Sequence, residues 1–471
     1  MKRKLLFTTL AMLCFGSTAM AGGPAAGNLH AHYQAAPGAS GQVAQVGFNE
    51  VNCGCETPCD CDSSSCDAGA MDCGCSEPAC GCEVIGDACD MGCDSGCDSG
   101  CGGAILDGSL ACKLGECDLG DPFSLFGEAC GFSAGGWVQM GYHNNALPLF
   151  NSRPDEFQLH QAWLWAEKAI DTSCGFDIGG RIDYVYGTDS QDTQAFGIDN
   201  DHWDNDWDNG NDYGHALPQL YLEAGYGDLS VKVGHFYTII GWEVVTAPDN
   251  FFYSHAYTMY NSEPFTHTGA LATYNVSDNV TAYGGYVFGW DSGFEDNGDA
   301  FLGGLSVGLS DDLTVTYATV GGRFADDRIT TEQGYMHSIV ADVTLTDNLQ
   351  YIFQSDLLDT ENNAGALVRE TFGINQYLIY TVSDCVAFGG RFEWYNQEGV
   401  FLNDNGTPGN DADDFAQESD IYALTLGMNY KPHANVIVRP EIRWDWDDDL
   451  LAGLDEGDDQ TTFGIDTIFM F

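Results

Sequence analysis

The last eleven residues constrain the fold most. They read Thr461-Thr462-Phe463-Gly464-Ile465-Asp466-Thr467-Ile468-Phe469-Met470-Phe471. Phe463, Ile465, Thr467, Phe469 and Phe471 share one mostly apolar face, and Gly464 and Asp466 share the other, with Ile468 as the exception. Period two over this length is a β-strand with one greasy side. On a soluble sandwich, a strand ending Phe-x-Phe would invite edge-to-edge aggregation. A barrel with lipid outside has a use for that face, so the stretch predicts a closing barrel strand.

Bulk properties agree. Hydrophobic residues make up 44% of 471, too many for a disordered acidic chain, and aromatics reach 13%, which fits interfacial girdles. Nothing after the N-terminal stretch offers about 18 consecutive apolar residues, so no transmembrane helix is expected. Acids outnumber Lys plus Arg by 71 to 15. That balance argues against nucleic-acid partners, whose phosphates need basic patches.

Lys2, Arg3 and Lys4 precede an apolar run from Leu5 to Phe15 and an Ala19-Met20-Ala21 site. This is a secretory signal peptide, residues 1–21, with cleavage expected after Ala21. Residues 22–52 read as a flexible linker. Residues 53–120 form a Cys-rich extension in which Cys53, Cys55, Cys59 and Cys61 are echoed by Cys73, Cys75, Cys80 and Cys82. Little there is apolar enough to bury, so cross-links or metal must supply any order. Export favours disulfides within or between chains over thiolate metal sites. Cys130, Cys174 and Cys385 join the disulfide candidates, and disulfide-linked envelope proteins are candidate partners.

From about Gly131 the pattern becomes hairpins. Seven short turns recur: Asp171 to Cys174, Gly227-Asp228, Ser277 to Asn279, Ser310 to Asp312, Thr346 to Asn348, Ser383-Asp384 and Lys431 to Ala434. Hydroxyl and Asx side chains can cap their own backbone in such reversals. Between them lie longer polar connections, including Thr188 to Tyr213, Asp291 to Asp299, Glu398 to Phe415 and Asp447 to Asp459. Short turns at one end and long loops at the other suit a membrane barrel. An opening strand near Phe132 to His143 and the closing strand bring the expected number to sixteen. The predicted class is all-β: a transmembrane antiparallel up-and-down barrel over residues 121–471, with an irregular extension placed in the periplasm.

Strand faces fit lipid outside and water inside. Val436, Val438, Pro440, Ile442, Trp444 and Trp446 oppose Ile437, Arg439, Glu441, Arg443, Asp445 and Asp447. Phe176, Ile178, Ile182, Tyr184 and Tyr186 likewise oppose Asp177, Arg181 and Asp183, and Phe388, Phe392 and Trp394 oppose Arg391, Glu393 and Tyr395.

One connection differs from the rest. Thr238 to His267 is too aromatic to wave in water and too irregular to span lipid. It predicts a loop folded into the lumen, with Phe251, Phe252, Tyr253 and Tyr257 against the wall. Glu243, Asp249 and Glu263 would then face Lys232, Arg181 or the Arg391, Arg439 and Arg443 group across an eyelet, a transverse field that selects solutes by charge and size. The plainer alternative is a loop packed on the rim for stability alone.

Tyr221-Leu222-Glu223, Val231 to Phe236, Thr246 to His255 and Pro264 to Gly269 resemble the OmpL-like putative β-barrel porin-2 family, over roughly residues 122–471. The resemblance implies an outer-membrane pore without catalytic residues, and it leaves the Cys-rich tract outside. The final strand resembles those that close bacterial outer-membrane barrels, where the terminal aromatic is read by the barrel assembly machinery. Homotrimers are expected by the same analogy.

Two further patterns carry less. His235, His255 and His267 lack a metal-binding frame and read as hydrogen-bonding loop residues. Asp204, Asp206 and Asp208 have calcium-loop spacing, but Gly210 is one position late and His215 stands where Glu is needed. Weak calcium binding and a plain solvated loop both stay open, and no other cofactor is expected. No nucleophile–base set argues for an enzyme. The sequence thus predicts a porin passing small hydrophilic solutes and ions with a modest cation preference. The alternative is a structural envelope protein anchored by its barrel and cross-linked through its extension.

Overall fold

In the computed structural model, the described residues are 117–129, 131–147, 150–195, 203–294, 298–326, 331–399, 417–447, 454 and 458–471. The expected signal peptide and linker, the repeated cysteines from Cys53 to Cys82 and Cys130 lie outside them.

Alternating apolar and polar residues build strands wherever the sequence repeats at period two. The first are β1 (Phe132–His143), β2 (Gln158–Lys168), β3 (Phe176–Gly187), a two-residue β4 (Asp208–Asn209), β5 (Tyr213–Tyr226) and β6 (Leu229–Tyr237). Then come β7 (Thr266–Ser277), β8 (Val280–Val287), β9 (Asp299–Ser310), β10 (Leu313–Asp326), β11 (Thr331–Thr346) and β12 (Leu349–Glu361). The last are β13 (Leu367–Ser383), β14 (Val386–Gly399), β15 (Gln417–His433), β16 (Val436–Asp447) and β17 (Asp459–Met470). Apart from β4, which sits in the β3–β5 connection, each pairs antiparallel with its chain neighbours. β17 closes the ring on β1 in a register running from Trp137↔Met470 to His143↔Gly464. The result is a closed sixteen-strand up-and-down barrel, as the sequence predicts.

All seven short turns fall at one end. In three of them a hydroxyl caps the turn: Ser277, Ser310 and Thr346 accept from the N–H of Asn279, Asp312 and Asn348 at 3.4, 3.3 and 3.3 Å. The opposite end is less uniform than expected. β12 and β13 are joined there by a tight turn, in which the Asn362 side chain accepts from the N–H of Ala364 and Ala366 at 2.9 and 3.0 Å. Gly365 supplies the positive φ (+76°) that this turn requires.

The faces behave as read. Phe176, Ile178, Ile182, Phe388, Phe392, Trp446, Phe463 and Phe469 are exposed on the outer wall, while Arg391, Arg439, Arg443 and Asp466 are buried inside. Ile468, the exception in the last strand, packs inward with Trp137 and Ile437. The interior is also more apolar than the charged faces suggest. Val287, Leu302, Val320, Met336 and Leu358 form an inward row across β8 to β12, buried against Ile239 and Ile240 of the β6–β7 connection.

Candidate functional site: the inward loop of the lumen

The β6–β7 connection, residues 238–265, carries a 3-10 turn at Ala247–Asp249 and a short helix α2 (Tyr257–Ser262); the β3–β5 connection carries another, α1 (Asp189–Thr193). Its irregular backbone leaves N–H and C=O groups unpaired, and burying them requires partners. Inward charges of the wall supply these. Glu441 accepts from the N–H of Tyr253 and Ser254 at 2.9 and 3.2 Å. Glu393 accepts from those of Tyr257 and Thr258 at 2.8 and 2.7 Å.

Three arginines take the carbonyls. Arg439 grips Asp466 at 3.0 and 2.5 Å and gives its remaining Nη1 to the carbonyls of Ala247, Asn250 and Phe252 at 2.9, 2.7 and 3.0 Å. Arg391 donates to Glu243 at 2.6 Å and to the Ser254 carbonyl at 2.7 Å. Arg443 pairs with Asp445 at 2.8 Å and donates to the His255 carbonyl at 2.6 Å. Burial alone would raise the Glu243 carboxyl, but Arg391 beside it holds it below the usual range.

Glycines in the wall give the aromatic side chains their sockets. A Cβ at Gly141 would come within 2.6 Å of the Tyr253 hydroxyl, and one at Gly464 within 2.8 Å of its ring. Phe251 and Phe252 sit against Gly389 and Gly427 in the same way. On the far side, Tyr253 Oη meets His160 Nε2 at 2.6 Å, and His160 Nδ1 meets Asp189 of α1 at 3.0 Å. Gln161 accepts from the Ala247 N–H at 3.1 Å and donates to the Val245 carbonyl at 2.7 Å. Tyr260 donates to Asp192 at 2.7 Å, so α1 and the inward loop are joined directly.

The predicted charged residues therefore fall into separate groups. Arg391, Arg439 and Arg443 lie under the loop and are paired with it, Arg391 through the loop's own Glu243, rather than across open water from it. Glu263 is buried where Gln354 bridges it to Asp356, at 2.5 and 2.8 Å. Burial, and next the Asp356 carboxyl, raise Glu263 well above the usual range. Arg181 and Lys232 are half-buried on β3 and β6. Arg181 binds Asp183 at 2.6 Å and Glu167 at 3.1 Å and lies 5.1 Å over Trp165. The Lys232 ammonium lies 4.5 Å over Tyr221. Asp249 is half-buried on the loop; burial pushes its carboxyl up to about 6, opposed by the Thr246 hydroxyl and by Arg181.

The remaining candidates are dispersed. Both oxygens of Asp204 accept backbone N–H groups, from Ala195 at 2.9 Å and Leu217 at 2.7 Å. Its carboxylate is thus turned into the loop, while Asp206 and Asp208 stay exposed. His235 bonds Thr268 at 2.8 Å, His255 the Val244 carbonyl at 3.2 Å and His267 the Gly289 carbonyl at 3.0 Å. Cys385 forms a disulfide with Cys117, and Cys174 is exposed and has no disulfide partner among the described residues.

Comparison with known proteins follows this geometry. Residues 131–471 match the family model described as putative beta-barrel porin-2, OmpL-like. Among solved structures, the outer membrane channel DcaP of Acinetobacter baumannii aligns at 10% identity over 74% of this chain and 100% of its own, with a TM-score of 0.48. The anion-selective porin from Comamonas acidovorans aligns at 11% identity over 72% and 99%, TM-score 0.47. The trimer form of OmpT from Vibrio cholerae aligns at 13% identity over 72% and 99%, TM-score 0.48. No curated protein matches the chain.

Proposed function

The chain belongs to the OmpL-like putative β-barrel porin-2 family and is an outer-membrane porin; on that premise we propose passive diffusion of small hydrophilic solutes and ions, with a modest cation preference. The observation that carries this reading is the inward loop. Hydrogen bonds hold it to the wall from β12 round to β2, while Arg181, Glu223 and Lys232 stay half-exposed on β3, β5 and β6, and the Arg181 charge reaches the Asp249 carboxyl. The proposed constriction is Asp249 opposite Arg181 and Lys232. Glu243, Glu263, Arg391, Arg439 and Arg443 set its position.

The sign of selectivity follows from the balance of charge. Arg181 is neutralised by Asp183 and Glu167, and the sequences of the long connections, from Asp199 to Asp212, Asp404 to Asp414 and Asp445 to Asp459, are acidic. Such a mouth attracts cations, and salt screens it. In a planar bilayer under a salt gradient, the reversal potential should favour cations at low salt and shrink as salt rises. Anion preference at low salt would overturn the assignment.

Acid should weaken that preference. Protonation removes the Asp249 charge as pH falls through about 6, so cation selectivity should fall between pH 7 and 5. Asp249→Asn should flatten that part of the pH profile, and an unchanged profile would remove Asp249 from the constriction.

The orientation that goes with this reading puts the short turns and the Cys-rich extension in the periplasm. Assembly as a homotrimer and delivery by the barrel assembly machinery belong to the same reading. Calcium is assigned no part in conduction, since the Asp204 carboxylate is committed to backbone N–H groups. A second reading, the cross-linked envelope anchor, is favoured by the Cys117–Cys385 disulfide, which ties the chain before the barrel to a short turn. An anchor need not conduct, so bilayer current separates the two readings.

A further inference from the structure

The segment between that disulfide and β1 is pinned and yet uncovered. Cys117 is bonded to Cys385 in the β13–β14 turn. The Leu119 carbonyl accepts from the Ala434 N–H at 2.9 Å in the β15–β16 turn. The Phe123 N–H and carbonyl are both held by the Asn435 side chain, at 2.6 and 2.7 Å, and Asn435 also donates to the Met470 carbonyl at 2.8 Å. At its far end, Ala129 bridges to Phe132. These contacts lay residues 117–129 as a strap along the short-turn rim from β14 to β1.

Held in this way, the strap still exposes three large apolar side chains within four residues: Phe123 at 53%, Leu125 at 57% and Phe126 at 41%. A contiguous apolar patch on a pinned segment marks an interaction surface. Its neighbours identify the occupant. Asn435, which holds Phe123, precedes Val436, and Val436 pairs with Phe469 on the outer wall. Phe469 is 45% exposed and lies 6.4 Å from the Phe471 ring, and Phe132 at the foot of β1 is 58% exposed. The strap therefore continues the lipid-facing aromatic belt of β16, β17 and β1 beyond the ends of the strands.

We propose that residues 121–126 are an interfacial anchor, with Phe123, Leu125 and Phe126 seated among phospholipid acyl chains at the short-turn leaflet. Aromatic and aliphatic side chains at the headgroup boundary bind lipid through buried apolar area, while the strap backbone there still meets water. The disulfide and Asn435 fix its depth.

Photocrosslinking tests this in the full, oxidised chain reconstituted into phosphatidylethanolamine–phosphatidylglycerol vesicles. p-Benzoylphenylalanine is placed singly at Phe123, Leu125 or Phe126, at Phe469 as the lipid-facing control, and at Asp278 in an exposed short turn as the aqueous one. Phospholipid adducts at the strap should match those at Phe469 and be lost at Asp278. Lipid labelling at Phe469 without any at the strap would overturn the proposal. So would adducts joining two copies of the chain, which would make the strap a subunit contact.

Discussion

Arg439→Ala should be the most damaging single substitution in the barrel. Arg439 and Asp466 are both almost fully buried and form a two-pronged pair, and the same guanidinium holds three loop carbonyls. Removing one partner of a buried pair strands the other charge and costs about 3–5 kcal/mol. Gln139 would still donate to Asp466, at 2.8 Å. The temperature at which the folded band converts to the unfolded one on a gel should drop markedly. Arg439→Lys keeps the charge but cannot supply the planar fork, and should fall in between. If the alanine variant converts at the wild-type temperature, the loop is not anchored there.

The second large effect should appear in current rather than stability. Glu393 and Glu441 each accept two consecutive loop N–H groups, so Glu393→Gln with Glu441→Gln turns amide donors toward N–H groups that need acceptors. Leaving buried donors unpaired costs about 1–3 kcal/mol each, enough to release a segment held by local contacts. The sixteen-strand ring does not depend on these bonds. The double variant should therefore fold, remain heat-modifiable, and show larger and noisier single-channel currents than wild type. Wild-type current in a folded double variant would show that the arginines and the glycine sockets suffice to hold the loop.

The barrel was legible because its signals are local. Turns such as Leu345-Thr346-Asp347-Asn348-Leu349 carry their own hydroxyl cap, and the lipid-facing alternation of β16 is visible within twelve residues. The loop was legible as an oddity for the same reason: its aromatic content contradicts its irregularity. How it docks was not legible. Inward Arg and Glu look the same in sequence whether they face water or grip a backbone, and only the fold brings Glu441 to Tyr253 and Ser254. The sockets at Gly141, Gly389 and Gly464 are glycines among the 59 in the chain. Their partners lie more than a hundred residues away. The Cys117–Cys385 bond spans 268 residues, and no spacing rule selects Cys385 over Cys174, which occupies another of the short turns.

Solute flux tests the central claim most directly. Vesicles carrying the purified chain, diluted into isotonic solutions of sugars of increasing size, should swell fast with pentoses and progressively more slowly with larger sugars. A passive pore narrowed by an inward loop requires that steep dependence. Vesicles that hold the folded, heat-modifiable barrel yet fail to swell even with the smallest sugar would contradict the account, leaving the barrel as an anchor for its cross-linked extension.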